Sequence, residues 1–307
     1  MILCCGEALI DMIPVVTDDG QILYRPHTGG AVFNTALALG RLGAEVGLLT
    51  GLSTDRFGDQ LSAALRESAV DLSHVITSDR LTTLAMVHLQ DGQASYSFYD
   101  ENSAGRLLRT EDMPTLKAPV TALYFGGISL ACEPAADAYA AVLQRERETR
   151  SIIVDPNVRL GFASDEGTYR HRLNRVISQA DLVKVSDEDL DWIIAGSAPI
   201  EEKAAALRKM GPRIVVLTRG GDGATGFVRD QRVDVAAIKT ESVDTVGAGD
   251  TFNAGLLFAL QNMGRLGREE LSALSASDLR DALEFGARVA AITVSRAGAN
   301  PPWAHEL

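Results

Sequence analysis

The stretch VDTVGAGDTFNAG (243–255) places Gly247-Ala248-Gly249 directly before Asp250, where a helix is predicted to begin. Small residues let several backbone N–H groups converge on one point, and at a helix N-terminus such donors bind phosphate. A carboxylate beside a phosphate is unfavourable unless the chemistry requires it. Phosphoryl transfer does, because a base must take the proton from the attacking hydroxyl. Taken alone, Asp250 is more simply explained as a helix cap.

A second glycine-containing stretch, TGGAVFNTALALGRLG (28–43), also precedes a predicted helix. Gly29 and Gly30 allow the backbone to approach a polyol closely, and the Asn34 amide can donate to and accept from sugar hydroxyls. Asp11 follows the first predicted strand, and its carboxylate can accept hydrogen bonds from two neighbouring hydroxyls. Considered singly, these residues are more simply explained as a structural turn, a cap and a solvated loop acid.

An alternation of strands and helices must position these residues. Short β-branched runs are typical of strands buried on both faces, and helical patterns lie between them, which indicates a parallel sheet covered on both sides. The predicted strands are residues 2–5, 46–50, 122–125, 151–155, 182–185 and 214–218. The predicted helices are residues 33–42, 59–68, 134–148, 200–210, 250–263 and 277 or 278 to 295.

Two segments, 12–26 and 83–100, instead alternate apolar and polar residues, and the second contains an Asp91-Gly92 hairpin signal. We expect them to form a small β-sheet that acts as a lid, since a kinase must keep water from the γ-phosphate. An extension of the main sheet's edge is the alternative. No linker separates a second domain, so residues 1–307 are expected to form one domain with a discontinuous lid.

Composition restricts the class of partner. The chain has 307 residues, 46% hydrophobic and 23% charged, with a net charge of −12. This charge argues against nucleic-acid and anionic-membrane partners, which favour a basic face. Three cysteines without metal-binding spacing suit buried thiols in a reducing compartment. Since the sequence shows neither a signal peptide nor an 18-residue apolar run, we expect a cytoplasmic protein.

Together, the stretches at 28–43 and 244–257 resemble the two signature motifs of the PfkB carbohydrate kinase family in order and separation. Within that family, CCGEALIDMIP (4–14) and DPNVR (155–159) look most like bacterial fructokinases. The resemblance implies a three-layer, ribokinase-like α/β fold with a mostly parallel central sheet and a small β-sheet lid. It also implies ATP-dependent phosphorylation of a sugar primary hydroxyl, with fructose as the expected sugar. A P-loop signature is missing from the sequence, and no GxGxxG follows the first strand.

The resemblance also implies roles for individual residues. Asp250 would be the base, with the Gly247-Ala248-Gly249 backbone stabilising the transferred phosphoryl group. Asp11, Gly30 and Asn34 would line the sugar pocket, and Phe98 offers an apolar face to a sugar ring. The residues expected at the sugar are Asp11, Gly29, Gly30, Asn34, Phe98, Arg106 and Arg159.

The nucleotide and cation sites carry weaker signals. In KVSDED (184–189) the family usually has Asn-x-x-Glu, linked to Mg²⁺, so either Glu188 or Asp189 would be the relevant acid; a capped helix start is the alternative. Backbone carbonyls near Asp244, Val246 and Gly298 would bind a monovalent cation such as K⁺. The residues expected at ATP are Lys184, Ser186, Thr218, Gly220, Gly223, Gly249 and Asn253.

The identity of the substrate stays open at this stage. A sugar acid such as 2-keto-3-deoxygluconate needs a cation, which Arg106 or Arg159 would supply. Asp11 argues the other way, because its charge repels a carboxylate. Ribokinase activity is another alternative, and so is a non-catalytic sensor of sugar or nucleotide, although a sensor has no need for the base. A homodimer formed through the lid is a further expectation.

Overall fold

The computed structural model describes residues 1–90, 93–117 and 119–307, so the predicted Asp91-Gly92 turn lies outside the described residues. The strands are β1 (Ile2–Cys5), β2 (Leu9–Val16), β3 (Ile22–Gly29), β4 (Val46–Leu49), β5 (Gly51–Ser53), β6 (Ile76–Ser78), β7 (Leu84–Gln90), β8 (Gln93–Tyr99), β9 (Ala122–Gly126), β10 (Ser151–Asp155), β11 (Leu182–Ser186), β12 (Ile214–Thr218), β13 (Ala224–Val228) and β14 (Gln231–Val235).

Helices follow most of these strands. They are α1 (Ala31–Arg41), α2 (Arg56–Glu67), α3 (Ala135–Glu146), α4 (Glu166–Ile177), α5 (Asp187–Ile193), α6 (Ile200–Lys209), α7 (Ala248–Asn262), α8 (Arg268–Ser272) and α9 (Ala276–Val294). In the part of the chain that the structure describes, no helix is long and apolar enough to cross a membrane.

Eight of the described strands form one large sheet in the order β14-β13-β12-β11-β10-β9-β1-β4. It is parallel from β12 to β4, and β13 and β14 add an antiparallel edge. Successive side chains of a strand point to opposite faces, so Ile2 and Cys4 enter one core and Leu3 and Cys5 the other. Helices α1, α7 and α9 cover the first face, and α3 and α4 cover the second. The predicted three-layer fold is confirmed.

A separate four-stranded sheet has the order β3-β2-β7-β8. Strands β2 and β7 pair in parallel, and the other pairs are antiparallel. The first alternating segment was predicted at residues 12–26. The structure extends it by three residues at each end, since β2 begins at Leu9 and β3 ends at Gly29. The lid sheet therefore itself carries Asp11 and Gly29, two of the residues expected at the sugar.

Three helices were missed from the sequence: α4, α5 and the five-residue α8. The segment EGTYRHRLNRVI of α4 is mostly polar, so its buried stripe of Tyr169, Leu173 and Val176 is thinly marked. Helix α5 has seven residues, too few for a periodic pattern, and begins at a capping box between Ser186 and Asp189. The capped helix start that we weighed for KVSDED is thus present.

Candidate active site

The carboxyl ends of the parallel strands and the N-terminus of α7 meet at one edge of the large sheet. Asp155 ends β10, Ser186 ends β11 and Thr218 ends β12, so the motifs DPNVR and KVSDED and the predicted nucleotide residue Thr218 all reach this edge. Open α/β sheets bind their ligands at this edge, where the loops can diverge without disturbing the core.

Asp250 lies in the first turn of α7, and its carboxylate is buried. Gly247 begins the helix with φ of 77°, and a Cβ there would lie 2.6 Å from the Cβ of Ala299, so only glycine fits. Asn34 Nδ2 of α1 donates to Asp250 Oδ2 at 2.9 Å, and Thr35 Oγ1 donates to the Asp250 carbonyl at 3.2 Å. The two glycine-containing motifs thus meet through these bonds.

Burial raises the pKa of Asp250 to about 7. The hydrogen bond from Asn34 lowers this pKa, the charge of Asp155 raises it, and the charge of Lys184 lowers it. A carboxyl that titrates near neutral pH is suited to general-base catalysis, which works best when the pKa lies near the working pH.

A buried polar cluster lies beneath the start of α7. Lys184 Nζ of β11 is 3.0 Å from Asp155 Oδ2, and Asn253 Nδ2 donates to the same oxygen at 2.6 Å and to the Tyr124 hydroxyl at 3.0 Å. The ammonium lies beside the anion-binding turn, because a Cβ on Gly249 would be 3.4 Å from Nζ. Lys184 and Asn253 were predicted here. Asp155 and Tyr124 were missed, although DPNVR places Asp155 at a strand end.

The four-stranded sheet predicted to be a lid carries three of the residues expected at the sugar, Asp11, Gly29 and Phe98. Asp11 is opposite Ala85, and Ala85 is opposite Phe98, so this row of residues lies on one face of the lid. The Asp11 carboxylate packs on Gly29, where a Cβ would lie 2.1 Å from Oδ2. Burial raises the pKa of Asp11 to about 6. Phe98 meets the body through Phe162, with ring centroids 4.0 Å apart.

Glu7 is a site feature that sequence reasoning missed. Its Oε1 accepts the Ala31 N–H at 2.9 Å, and its Oε2 accepts the Ser129 hydroxyl at 2.7 Å. The carboxylate therefore caps α1 immediately after the Gly29-Gly30 turn, and burial raises the pKa of Glu7. Gly30 has φ of 105°, and a Cβ there would lie 3.0 Å from the Glu7 carbonyl. The sequence signal that could have identified Glu7 is the pair Gly6-Glu7, which lies just before β2, the strand that carries Asp11.

The two arginines expected at the sugar differ in their surroundings. Arg106 Nη1 is 2.8 Å from Asp100 Oδ2, and Arg106 Nε donates to the Glu133 carbonyl at 3.1 Å. Arg159 is exposed, and its Nη1 donates to the carbonyl of the preceding residue at 2.9 Å. Burial raises the pKa of Tyr96, the charge of Asp11 raises it further and the charge of Arg159 lowers it.

Of the two acids predicted for Mg²⁺, Asp189 has a structural task. Its Oδ1 accepts the Val158 N–H at 2.8 Å and its Oδ2 accepts the Ser186 N–H at 3.2 Å. Ser186 Oγ in turn accepts the Asp189 N–H at 3.0 Å, whereas Glu188 is exposed. Among the described residues, no group of three or more His, Cys, Asp and Glu side chains could hold a metal ion.

The predicted nucleotide loop joins β12 to β13. Thr218 Oγ1 donates to the Val185 carbonyl at 3.4 Å, and a short 3₁₀ turn separates Gly220 from Gly223. Both glycines have positive φ, and a Cβ on Gly223 would lie 2.1 Å from the Val235 carbonyl oxygen. A glycine hairpin is therefore present here, and it leaves Gly220 open to solvent.

The predicted cation loop is held to the C-terminal segment by Asp244. Its Oδ1 accepts the Val246 N–H and its Oδ2 accepts the Gly298 N–H, both at 2.9 Å. Val243 N donates to the Val294 carbonyl at 2.8 Å. Asp244, Val246 and Gly298, the three positions predicted at the cation site, are thus neighbours, although Asp244 and Gly298 are 54 residues apart in the sequence. We call these hydrogen bonds of Asp244 the clasp, and the clasp also holds the loop that leads into α7.

Comparisons with known proteins agree with this geometry. The family model described as pfkB family carbohydrate kinase matches residues 1–306. A fructokinase of Rhizobium leguminosarum bv. trifolii is 44% identical over 282 residues, which make up 92% of this chain and 86% of the relative. The structure of a Xylella fastidiosa fructokinase with bound ATP has a TM-score of 0.89 at 27% identity, covering 97% of this chain and 93% of that one. A Vibrio cholerae O395 fructokinase double mutant with fructose, ADP and potassium bound has a TM-score of 0.85 at 26% identity, with 97% and 93% covered.

Proposed function

Because the chain belongs to the pfkB family of carbohydrate kinases, we propose that it phosphorylates fructose with ATP to give fructose 6-phosphate. The observation that carries this proposal is the buried Asp250, which titrates near neutral pH at the anion-binding start of α7. The 44% identity to a fructokinase supports the choice of sugar.

In the proposed reaction, Asp250 takes the proton of the primary hydroxyl as the oxygen attacks the γ-phosphorus. A new P–O bond forms, and the bond to the β-phosphate oxygen breaks with its electron pair leaving on ADP. The Ala248 N–H already donates to the Thr245 carbonyl at 3.2 Å, so we assign the anion contact to the N–H groups of Gly249 and Asp250. Lys184 adds a positive charge beside them.

We propose that Mg²⁺ accompanies ATP and neutralises the phosphate charge when bound. Glu188 is the acid we assign to it, because both oxygens of Asp189 are engaged by backbone N–H groups. Glu188→Gln should then raise the Mg²⁺ concentration required for half-maximal activity. Asp187→Asn serves as the control, because Asp187 is also exposed in the first turn of α5.

We propose a K⁺ site at the clasp between the loop of Asp244 and Val246 and the loop of Gly298. The clasp brings the two segments together at the entry to α7, and the Vibrio cholerae relative has potassium bound. Activity should rise when K⁺ replaces Li⁺ at constant ionic strength. Equal activity in both salts would contradict this assignment.

Fructose is favoured over a sugar acid by the surroundings of two charges. Arg106 is paired with Asp100, and the buried Asp11 carboxylate repels a substrate carboxylate. A coupled assay of ADP release with fructose, ribose, glucose and 2-keto-3-deoxygluconate tests the choice. We expect the highest kcat/KM with fructose. A preference for the acid or ribose would replace the proposed substrate, and no ADP release with any sugar would favour a sensor.

We propose that the lid closes on the sugar. Its sugar-facing row from Asp11 to Phe98 contacts the body chiefly through the edge of Phe162, so a sugar can add contacts between lid and body. Hydrogen exchange of residues 84–88 and 95–99 should slow with saturating fructose, while exchange in β10 stays unchanged. Equal exchange with and without sugar would identify these strands as a static sheet.

We propose that the lid also forms a homodimer and that the protein acts in the cytoplasm. Val16 and Ile22 are paired on the lid and are 70% and 62% exposed, and Tyr99 on the same sheet is 62% exposed. The three free cysteines are buried, as suits a reducing compartment. Sedimentation should show a dimer that Ile22→Asp shifts to monomer, whereas a monomeric wild type would contradict the interface.

A further inference from the structure

The Asp155–Lys184 pair is the most completely buried ion pair at the active-site edge of the sheet. The side chains of Asp155 and Lys184 are 3% and 6% exposed, and Nζ lies 3.0 Å from Oδ2. We propose that Asp155 is a positioning residue, which holds the Lys184 ammonium beside Gly249, where it attracts the nucleotide phosphates. This inference rests on the proposed kinase function.

One oxygen of Asp155 holds two groups. Oδ2 accepts from Lys184 at 3.0 Å and from Asn253 at 2.6 Å, whereas Oδ1 is buried without a hydrogen-bond partner among the described residues. Asn253 is one turn after Asp250 on α7, so the same oxygen fixes both the ammonium and the helix that carries the base. This one oxygen therefore links the cation to the helix that carries the base.

Burial explains why Lys184 needs Asp155. Removing an ammonium from water is costly unless an opposite charge and hydrogen bonds compensate, and an unpaired buried lysine tends to lose its proton. Asp155 as a whole residue is 2% exposed, and it ends β10, the strand next to β11. Its carboxylate therefore lies beside Lys184 without any rearrangement. Asp155 therefore holds the Lys184 ammonium beside the predicted anion-binding turn before ATP arrives.

The unpartnered Oδ1 makes a conservative test possible. In Asp155→Asn, the amide oxygen can take the position of Oδ2 and accept from both donors, while the NH₂ group takes the position of Oδ1. Shape and hydrogen bonds are then retained, and only the charge is lost. Asp181→Asn is the matched control, because Asp181 binds the Ile152 N–H at 2.9 Å at the opposite end of the same strands.

The experiment is a double-mutant cycle with Asp155→Asn and Lys184→Met, read by calorimetric binding of a non-hydrolysable ATP analogue and by thermal unfolding. Each single variant should weaken nucleotide binding at least tenfold, and the double variant should bind no more weakly than Lys184→Met alone. Lys184→Met should have the lowest Tm, since it leaves Asp155 charged and buried without a counter-charge, and adding Asp155→Asn should restore part of it. Asp181→Asn should bind like wild type.

Two results would overturn the proposal. If the effects of Asp155→Asn and Lys184→Met on binding multiply, Asp155 acts independently of Lys184 and only supports the fold. If Asp155→Asn binds within twofold of wild type, its charge has no role at the nucleotide. Because nucleotide binding is measured without sugar, a failure of the proposed fructose reaction leaves this test intact.

Discussion

The two ends of the active site are built differently. At the phosphoryl-transfer end, Asp250, Asp155 and Lys184 are buried, and each is bonded to a side chain from another element of the body. At the sugar end, the groups stand on a separate sheet, and Tyr96 is 49% exposed. In the proposed function, the catalytic charges are arranged before substrate binds, whereas the sugar completes its own pocket.

The two acids that face the substrate illustrate this contrast. Asn34 binds the Asp250 carboxylate and Asp155 and Lys184 act on its pKa, whereas burial alone raises the pKa of Asp11 to about 6. A buried carboxylate is stabilised by hydrogen-bond donors, and sugar hydroxyls are suitable donors. Substitutions at the first end should therefore affect kcat or the binding of ATP, and those at the second end should affect the KM of the sugar.

The largest effect is expected for Asp250→Asn. The amide cannot take the proton, so kcat should fall by about 10²–10⁴-fold while fructose binding is retained. Steady-state kinetics with calorimetric fructose binding would check both. Asp59→Asn is the control, because Asp59 is also in the first turn of a helix but is exposed. A kcat within about threefold of wild type would remove Asp250 from the role of base.

The pH dependence should follow the same carboxylate. Asp250 acts as a base only when deprotonated, so kcat/KM should fall about tenfold per pH unit below its pKa of about 7 and level off above it. Asn34→Ala removes the hydrogen bond that lowers this pKa, so the acid limb should move to higher pH. A limb that stays in place or moves to lower pH would show that another group controls the rate.

A smaller effect is expected at the sugar end. In Gly29→Ala the new Cβ would lie 2.1 Å from Asp11 Oδ2, so the carboxylate must move away from the sugar. Losing a charge-assisted hydrogen bond should raise the fructose KM about tenfold, with the ATP KM unchanged. Gly167→Ala on the surface of α4 is the control, since it has room for a methyl group. An equal rise in both KM values would contradict the separation of the two ends.

The smallest kinetic effect is expected for Arg106→Ala. Since Arg106 is paired with Asp100, the fructose KM should change only a few-fold. Asp100 is 7% exposed and loses its partner, so the free energy of unfolding should fall by about 1–3 kcal/mol. Arg109→Ala, an exposed pair with Glu111, should alter neither quantity. A tenfold rise in KM without loss of stability would return Arg106 to the sugar site.

The sequence by itself determined the elements that carry the chemistry. All six predicted strands are present within one residue of their bounds, since each is a short, mostly apolar run buried on both faces. Gly247 and Asp250 were recognisable because an anion-binding helix start needs small residues followed by a polar one within a single turn. Such local requirements are written in consecutive residues.

Only the tertiary structure decided which polar groups share a partner. Asn34 and Asp250 are 216 positions apart, and Asn253 and Asp155 are 98 apart, yet each pair is hydrogen-bonded. No periodicity records such a contact, because it depends on the order of strands in the sheet and on the packing of α1 against α7. The order of strands in the sheet also places Asp155, at the end of the buried strand β10, beside Lys184 as its counter-charge.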